Sequence, residues 1–114
     1  MHTYPVYTVI AEKVHAVVEH GAANSRMKDY LDLVVIFERE SLDMQLLLRA
    51  MTATFKSRGT ILPNAIPIGI TDDFANDPAK QVMWSTFLRK NHLSAKPLPE
   101  IAEQLRNNLQ SIFI

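Results

Sequence analysis

Arg26-Met27-Lys28-Asp29-Tyr30-Leu31-Asp32-Leu33, running directly into Val34-Val35-Ile36-Phe37, is the stretch on which the reading of this chain turns. It places two cations and two carboxylates at the mouth of an apolar run, in a setting that reads as the start of a helix. Asp29 and Asp32 are three apart and so are neighbours on one helical face; Lys28 and Asp32 form an i,i+4 pair in the weaker orientation. On their own these residues describe a solvated face with exposed ion pairs, each worth little. Paired carboxylates at this spacing also suit a Mg²⁺ ion or acceptance of a proton from a hydroxyl nucleophile.

Working outward, the segment before it reads as another helix, from about Val9 to Glu19, with Thr8 as N-cap and Gly21 just past the end. At ~100° per residue, Glu12, His15 and Glu19 make its wet side, and Val9, Ile10, Val14, Val17 and Val18 its dry side. Lys13 falls between Val9 and Val17, inside the apolar arc. A lysine there is costly unless its ammonium reaches water or an anion. It either snorkels or pairs with an acid, or it is aimed into a cleft where a phosphate could sit.

Helical spacing dominates the remainder. The second helix follows Asn24-Ser25 and reaches about Arg39. Ser41 is the expected cap of a third, ending in Lys56-Ser57-Arg58-Gly59, whose Leu- and Met-rich circumference reads as central to the bundle. Residues 60–77 look irregular, with one short turn at Thr71-Asp72-Asp73-Phe74. Asp77-Pro78 opens a fourth helix to about Lys90. Pro97-Leu98-Pro99 opens a fifth, carrying Ile101, Leu105, Leu109 and Ile112 on one stripe. Tyr4 to Tyr7 has strand-like composition, and Pro5 would make it an edge strand. The expected fold is mainly α: a single helical domain, residues 1–114, of about five helices with one short N-terminal edge strand.

Bulk properties narrow the function classes. The 114 residues carry twelve basic and twelve acidic side chains and no net charge, so any nucleic-acid contact must come from a local patch. There is no cysteine, which excludes disulfides, thiol catalysis and cysteine zinc sites. The four histidines lack paired ligand spacing. His15 reads as surface and His20 as a helix-end cation. No apolar run approaches the ~18 residues of a membrane span, and no basic-then-apolar leader is visible, which fits a reducing cytoplasm. Lys80, Arg89, Lys90 and Lys96 lie in a stretch without an acid, expected as a solvated face, with a weak RNA-facing patch as the alternative. Trp84 with Leu88, and Met83 with Phe87, read as i,i+4 packing pairs.

Taken together, these segments resemble a known family. Tyr4-Pro5-x-x-Thr8-x-x-Ala11-Glu12-Lys13, the Val14-His15-Ala16-Val17-Val18-Glu19 helix, and Asn24-Ser25-Arg26-Met27-Lys28-Asp29-Tyr30-x-Asp32-Leu33 look like the second half of AbiEii/AbiGii-type nucleotidyltransferase toxins. Ala53-Thr54-Phe55-x-x-Arg58-Gly59-Thr60, Thr71-Asp72-x-Phe74-Ala75-x-Asp77-Pro78-x-Lys80-x-x-x-Trp84 and Phe87-Leu88-Arg89-Lys90-Asn91 continue the likeness.

The resemblance implies kinship with the polymerase-beta superfamily and a bacterial toxin of a toxin–antitoxin, abortive-infection system. Such enzymes transfer nucleotides from an NTP with Mg²⁺, and some act on RNA, including the acceptor end of tRNA. It places the family's catalytic lysine on Lys13, the carboxylate role on Asp29 and Asp32, and phosphate contacts on Arg26 and Lys28.

One departure is large: no Gly-Gly, Gly-Ser or Asp-x-Asp occurs in the chain, and phosphoryl transfer depends on the metal ions such residues hold. The expectation is therefore a partial enzyme, from a truncated gene, a split gene or an excised domain. It would bind no cofactor and hold no metal alone, and it would be completed by an N-terminal half and accompanied by an antitoxin. Self-pairing into a homodimer through Tyr4–Tyr7 and the dry side of the first helix is also expected. The alternative is a non-catalytic helical module binding an antitoxin, RNA or itself; an unrelated DNA-binding helical domain is weaker, for want of a clustered recognition face.

Overall fold

The computed structural model describes residues 5–113. Among them are six α-helices and no strand: α1 Pro5–His20, α2 Met27–Arg39, α3 Met44–Ser57, α4 Asp72–Asn76, α5 Pro78–Lys90 and α6 Leu98–Phe113, with short 3-10 turns at Gly21–Ala23 and Ile68–Ile70. The mainly helical expectation holds, with the residue 71–74 turn forming a fourth short helix. The edge strand does not appear where it can be checked. Pro5, Val6 and Tyr7 are the first turn of α1, where proline's fixed φ and missing N–H cost nothing, and Tyr4 lies outside the described residues. Helix α1 thus begins ahead of the expected Thr8 cap.

The helix ends follow their local chemistry. Asp43, not Ser41, caps α3: its Oδ1 accepts from Gln45 N at 2.8 Å and Leu46 N at 3.3 Å, and its own N–H donates to the Tyr7 hydroxyl at 2.9 Å, tying the cap to α1. Thr71 caps α4 and Asp77 caps α5, with Pro78 in the first turn. At the far end of α3, Gly59 takes φ +68. This lets Thr60 N reach Phe55 O at 2.9 Å and Gly59 N reach Lys56 O at 3.0 Å, the two bonds of a Schellman motif.

One apolar core runs through the molecule. Ile10, Val14 and Val17 of α1, Tyr30 and Leu33 of α2, Leu47, Met51 and Phe55 of α3, and Trp84 of α5 join the α6 stripe Ile101, Leu105, Leu109 and Ile112. Helix α6 touches α2, α3, α4 and α5, and is the central helix. Helix α3 is not: it packs chiefly on α1 and buries only Leu47, Met51, Thr54 and Phe55, leaving Leu48 and Ala53 exposed. Its high apolar content does not convert into burial because one side of it has no neighbouring helix. The dry side of α1 lies inside this core. Tyr7, Ile10, Val14 and Val17 are buried within the same chain, whereas Pro5 and Val9 of the surface expected to mediate a homodimer are exposed and Tyr4 lies outside the described residues.

His15 is likewise buried rather than on the surface. Its ring meets Phe55 edge-on at 4.9 Å, and its Nε2 lies 3.0 Å from Thr60 Oγ1. The sequence projection erred by one helical position: Val9, assigned to the dry side, is the exposed residue.

Candidate functional site

The turn between α1 and α2 brings the charged stretch under Lys13. Asn24 is fully buried; its Oδ1 accepts from Arg26 N at 3.1 Å, and its Nδ2 donates to Tyr30 OH at 3.0 Å. Tyr30 OH in turn donates to Gly69 O at 2.7 Å. Lys80 Nζ donates to Asn24 O at 2.9 Å and lies 4.9 Å from the centre of the Phe74 ring. A buried ammonium needs such partners to offset its lost hydration, and here it clamps the chain just before α2. Gly69 is required at this junction, since a Cβ there would stand 2.7 Å from Val17 Cγ1 and 3.1 Å from Tyr30 OH. Burial pushes the Tyr30 phenol up to about 12; the Asn24 hydrogen bond opposes the rise and the Asp29 charge adds to it.

On this support five charged side chains converge. Lys13 Nζ donates to Asp29 Oδ1 at 3.2 Å and to Asp32 Oδ2 at 3.0 Å. Lys28 Nζ donates to Asp32 Oδ2 at 2.7 Å, and Arg26 Nε stands 2.9 Å from Asp29 Oδ2. That Arg26 contact is an ion pair without hydrogen-bond alignment, so Asp29 Oδ2 is buried and its hydrogen-bonding capacity is unmet. The Asp29 side chain is only 5% exposed, against 22% for Lys13 and 28% for Asp32. Asp29 also sits in the first turn of α2, where the helix dipole favours a negative charge.

Burial alone would lower the Lys13 ammonium, but its hydrogen bonds and charge interactions with Asp32 and Asp29 outweigh this and hold it above its ordinary value. Burial would raise Asp32, but Lys28 and Lys13 overcome that and hold its carboxyl below the ordinary range. The sequence-assigned residues Lys13, Arg26, Lys28, Asp29 and Asp32 therefore form one cluster. Lys13 pairs with acids, one of the readings open to it from sequence: it bridges two carboxylates on the next helix.

The cluster borders a cleft of about 550 Å³ floored by the outer side of α1, with Val9 and Ala16 in its lining and Arg58 across it. Arg58 is held there by an ion pair with Glu12. Arg26 and Asp29 are also shared with a second groove, against α5, so their ion pair forms the partition between the two.

The donor set does not fit a resident Mg²⁺. Asp29 Oδ1 and Asp32 Oδ2 are engaged by ammonium groups, and Asp29 Oδ2 faces a guanidinium. Among the described residues no group of three or more His, Asp or Glu could hold a metal ion. Three cations face two carboxylates in the cluster, and the cleft beside it is lined further by Arg58, Glu12 and Glu19.

Sequence reasoning missed Asn24, Tyr30, Gly69 and Lys80. Lys80 had a signal of the same kind as Lys13: it stands four residues before the buried Trp84, on the inner stripe of α5. It belongs to the interior and not to the solvated basic face on which it was expected. Asn24 and Gly69 carried no signal of their own, because their roles depend on a contact between segments about forty residues apart.

Among the described residues, no helix is long and apolar enough to cross a membrane. No curated protein and no solved structure matches the chain. The family described as nucleotidyl transferase AbiEii toxin, type IV TA system, matches residues 1–107, a span that includes the whole charged cluster and its buried support. On that match, the chain belongs to the AbiEii family of toxin–antitoxin nucleotidyl transferases.

Proposed function

We propose that this chain supplies the phosphate-contacting part of a nucleotidyltransferase toxin whose metal- and NTP-holding elements lie on another segment. The observation that carries this reading is the convergence of Lys13 with Arg26, Lys28, Asp29 and Asp32, of which Lys13, Arg26 and Asp29 line a cleft, on a buried scaffold that fixes the start of α2. Lys13 is the catalytic cation, contacting the phosphates of the incoming NTP; Arg26 and Lys28 add further positive charge. Asp29 and Asp32 hold Lys13 charged and in place, and positioned charge is the main resource for stabilising a phosphoryl-transfer transition state.

The absence of Gly-Gly, Gly-Ser and Asp-x-Asp from the sequence supports the partial-enzyme reading. The family resemblance makes RNA, and tRNA in particular, the acceptor to test first, and the cognate antitoxin is the expected regulatory partner. The test is to incubate the purified chain with labelled NTPs, Mg²⁺ and total tRNA. No labelled RNA is expected. Labelled RNA that disappears with Lys13→Ala would show that these residues suffice for transfer and would overturn the partial-enzyme reading.

A further inference from the structure

The second groove, about 660 Å³, lies between the start of α2 and the outer face of α5. Val82 and Met83 are 63% and 38% exposed, and the half-buried Phe87 continues their row at i,i+4 from Met83. The row is about two helical turns long. Arg26, Lys28 and Lys90 also line the groove. Among the described residues its one acid is Asp29, which is buried and already engaged by Lys13 and Arg26. Helix α5 and the loop after it add no acid from Pro78 to Pro99. The groove is thus an apolar strip bordered by three cations and one acid; Arg26 and Lys28 are paired with Asp29 and Asp32 on their α2 side, and Lys90 borders the strip from α5.

We propose that this groove docks an acidic amphipathic helix of a partner protein. Helix-in-groove recognition places apolar anchors at i, i+3/i+4 and i+7 against such a strip, and carboxylates beside those anchors would meet Arg26, Lys28 and Lys90. A single-stranded nucleic acid fits less well. Its bases call for a series of exposed aromatic rings, and the lining has one ring, Phe87, packed against Trp84 at 5.9 Å. The exposed apolar surface here is aliphatic. The groove shares Arg26 and Lys28 with the phosphate reading, whereas Val82, Met83 and Lys90 belong to the groove alone, so variants at these three test docking apart from phosphate contact.

The test uses the full chain and a fluorescent peptide of about 14 residues, with Leu at i, i+3, i+4 and i+7 and Glu elsewhere. Controls are the same peptide with every Glu replaced by Lys, and an oligouridine. Two variants, Val82→Asp combined with Met83→Asp, and Lys90→Glu, change exposed side chains only. Anisotropy should show binding of the Glu peptide, no binding of the Lys peptide, and affinity reduced about tenfold or more by each variant, with helical circular dichroism unchanged. Failure of the Glu peptide to bind, equal binding of the Lys peptide, or indifference to both variants would overturn the proposal. So would displacement of the peptide by tighter-binding oligouridine, which would make the groove a nucleic-acid surface.

Discussion

The Lys13 ammonium and the Asp29 carboxylate, sixteen residues apart in sequence, meet at 3.2 Å across the interface of α1 and α2. Asp29 is the buried member of the cluster, and Asp32 is the more exposed one. Removing the charge of a buried, paired carboxylate costs far more than removing that of an exposed one. Asp29→Asn is therefore expected to destabilise the fold by roughly 1–3 kcal/mol, and Asp32→Asn by under about 1 kcal/mol. Urea unfolding of the two variants measures the difference, and equal losses would contradict the burial argument.

The same contacts set a pH dependence. The Asp32 carboxyl lies below its ordinary 3.8, so its contribution is complete above 3.8 and drains as pH falls through the folded value. The Lys13 ammonium lies above its ordinary 10.5, so its contribution is complete below 10.5 and is lost as pH rises through the folded value. Tyr30 adds to the alkaline limb. Its neutral phenol is favoured in the fold, and that stability drains between its ordinary 10.0 and about 12. Urea midpoints against pH should show a plateau with both limbs. Asp32→Asn should flatten the acid limb, and Lys13→Met should flatten both. An acid limb unaltered in Asp32→Asn would count against the assignment.

Tyr30→Phe removes the hydroxyl that accepts from Asn24 Nδ2 and donates to Gly69 O. Both partners are then left buried without a bond, at a cost of about 1–3 kcal/mol. The variant should also lose the tyrosinate absorbance step near 12 that this residue gives in the native protein. Native stability retained within about 0.5 kcal/mol would mean that the network does not hold the start of α2.

Legibility from sequence followed the range of the interactions. The α6 stripe and the Asp77-Pro78 start of α5 are local patterns, and each stands where periodicity and capping put it. Three features that depend on distant partners were not legible. Helix α3 looks central by composition yet is covered on one side only. His15 falls on a polar projection yet is buried by Phe55 and Thr60, across the chain reversal that follows α3. Lys80 looks like part of a basic face until Asn24 O, fifty-six residues away, accepts its hydrogen bond. The residues of the cluster were named from their own segments; the buried support beneath them appeared only once the segments were packed together.

The central claim is that Lys13, Arg26 and Lys28 form a phosphate-contacting surface, and titration of the isotope-labelled protein with inorganic pyrophosphate tests it most directly. The account predicts saturable NMR shifts concentrated at Lys13, Arg26 and Lys28, with binding weakened about tenfold or more in a folded Lys13→Ala variant, roughly the loss of one charge-assisted contact. Shifts centred elsewhere on the surface, or equal binding by the wild-type chain and the Lys13→Ala variant, would contradict it.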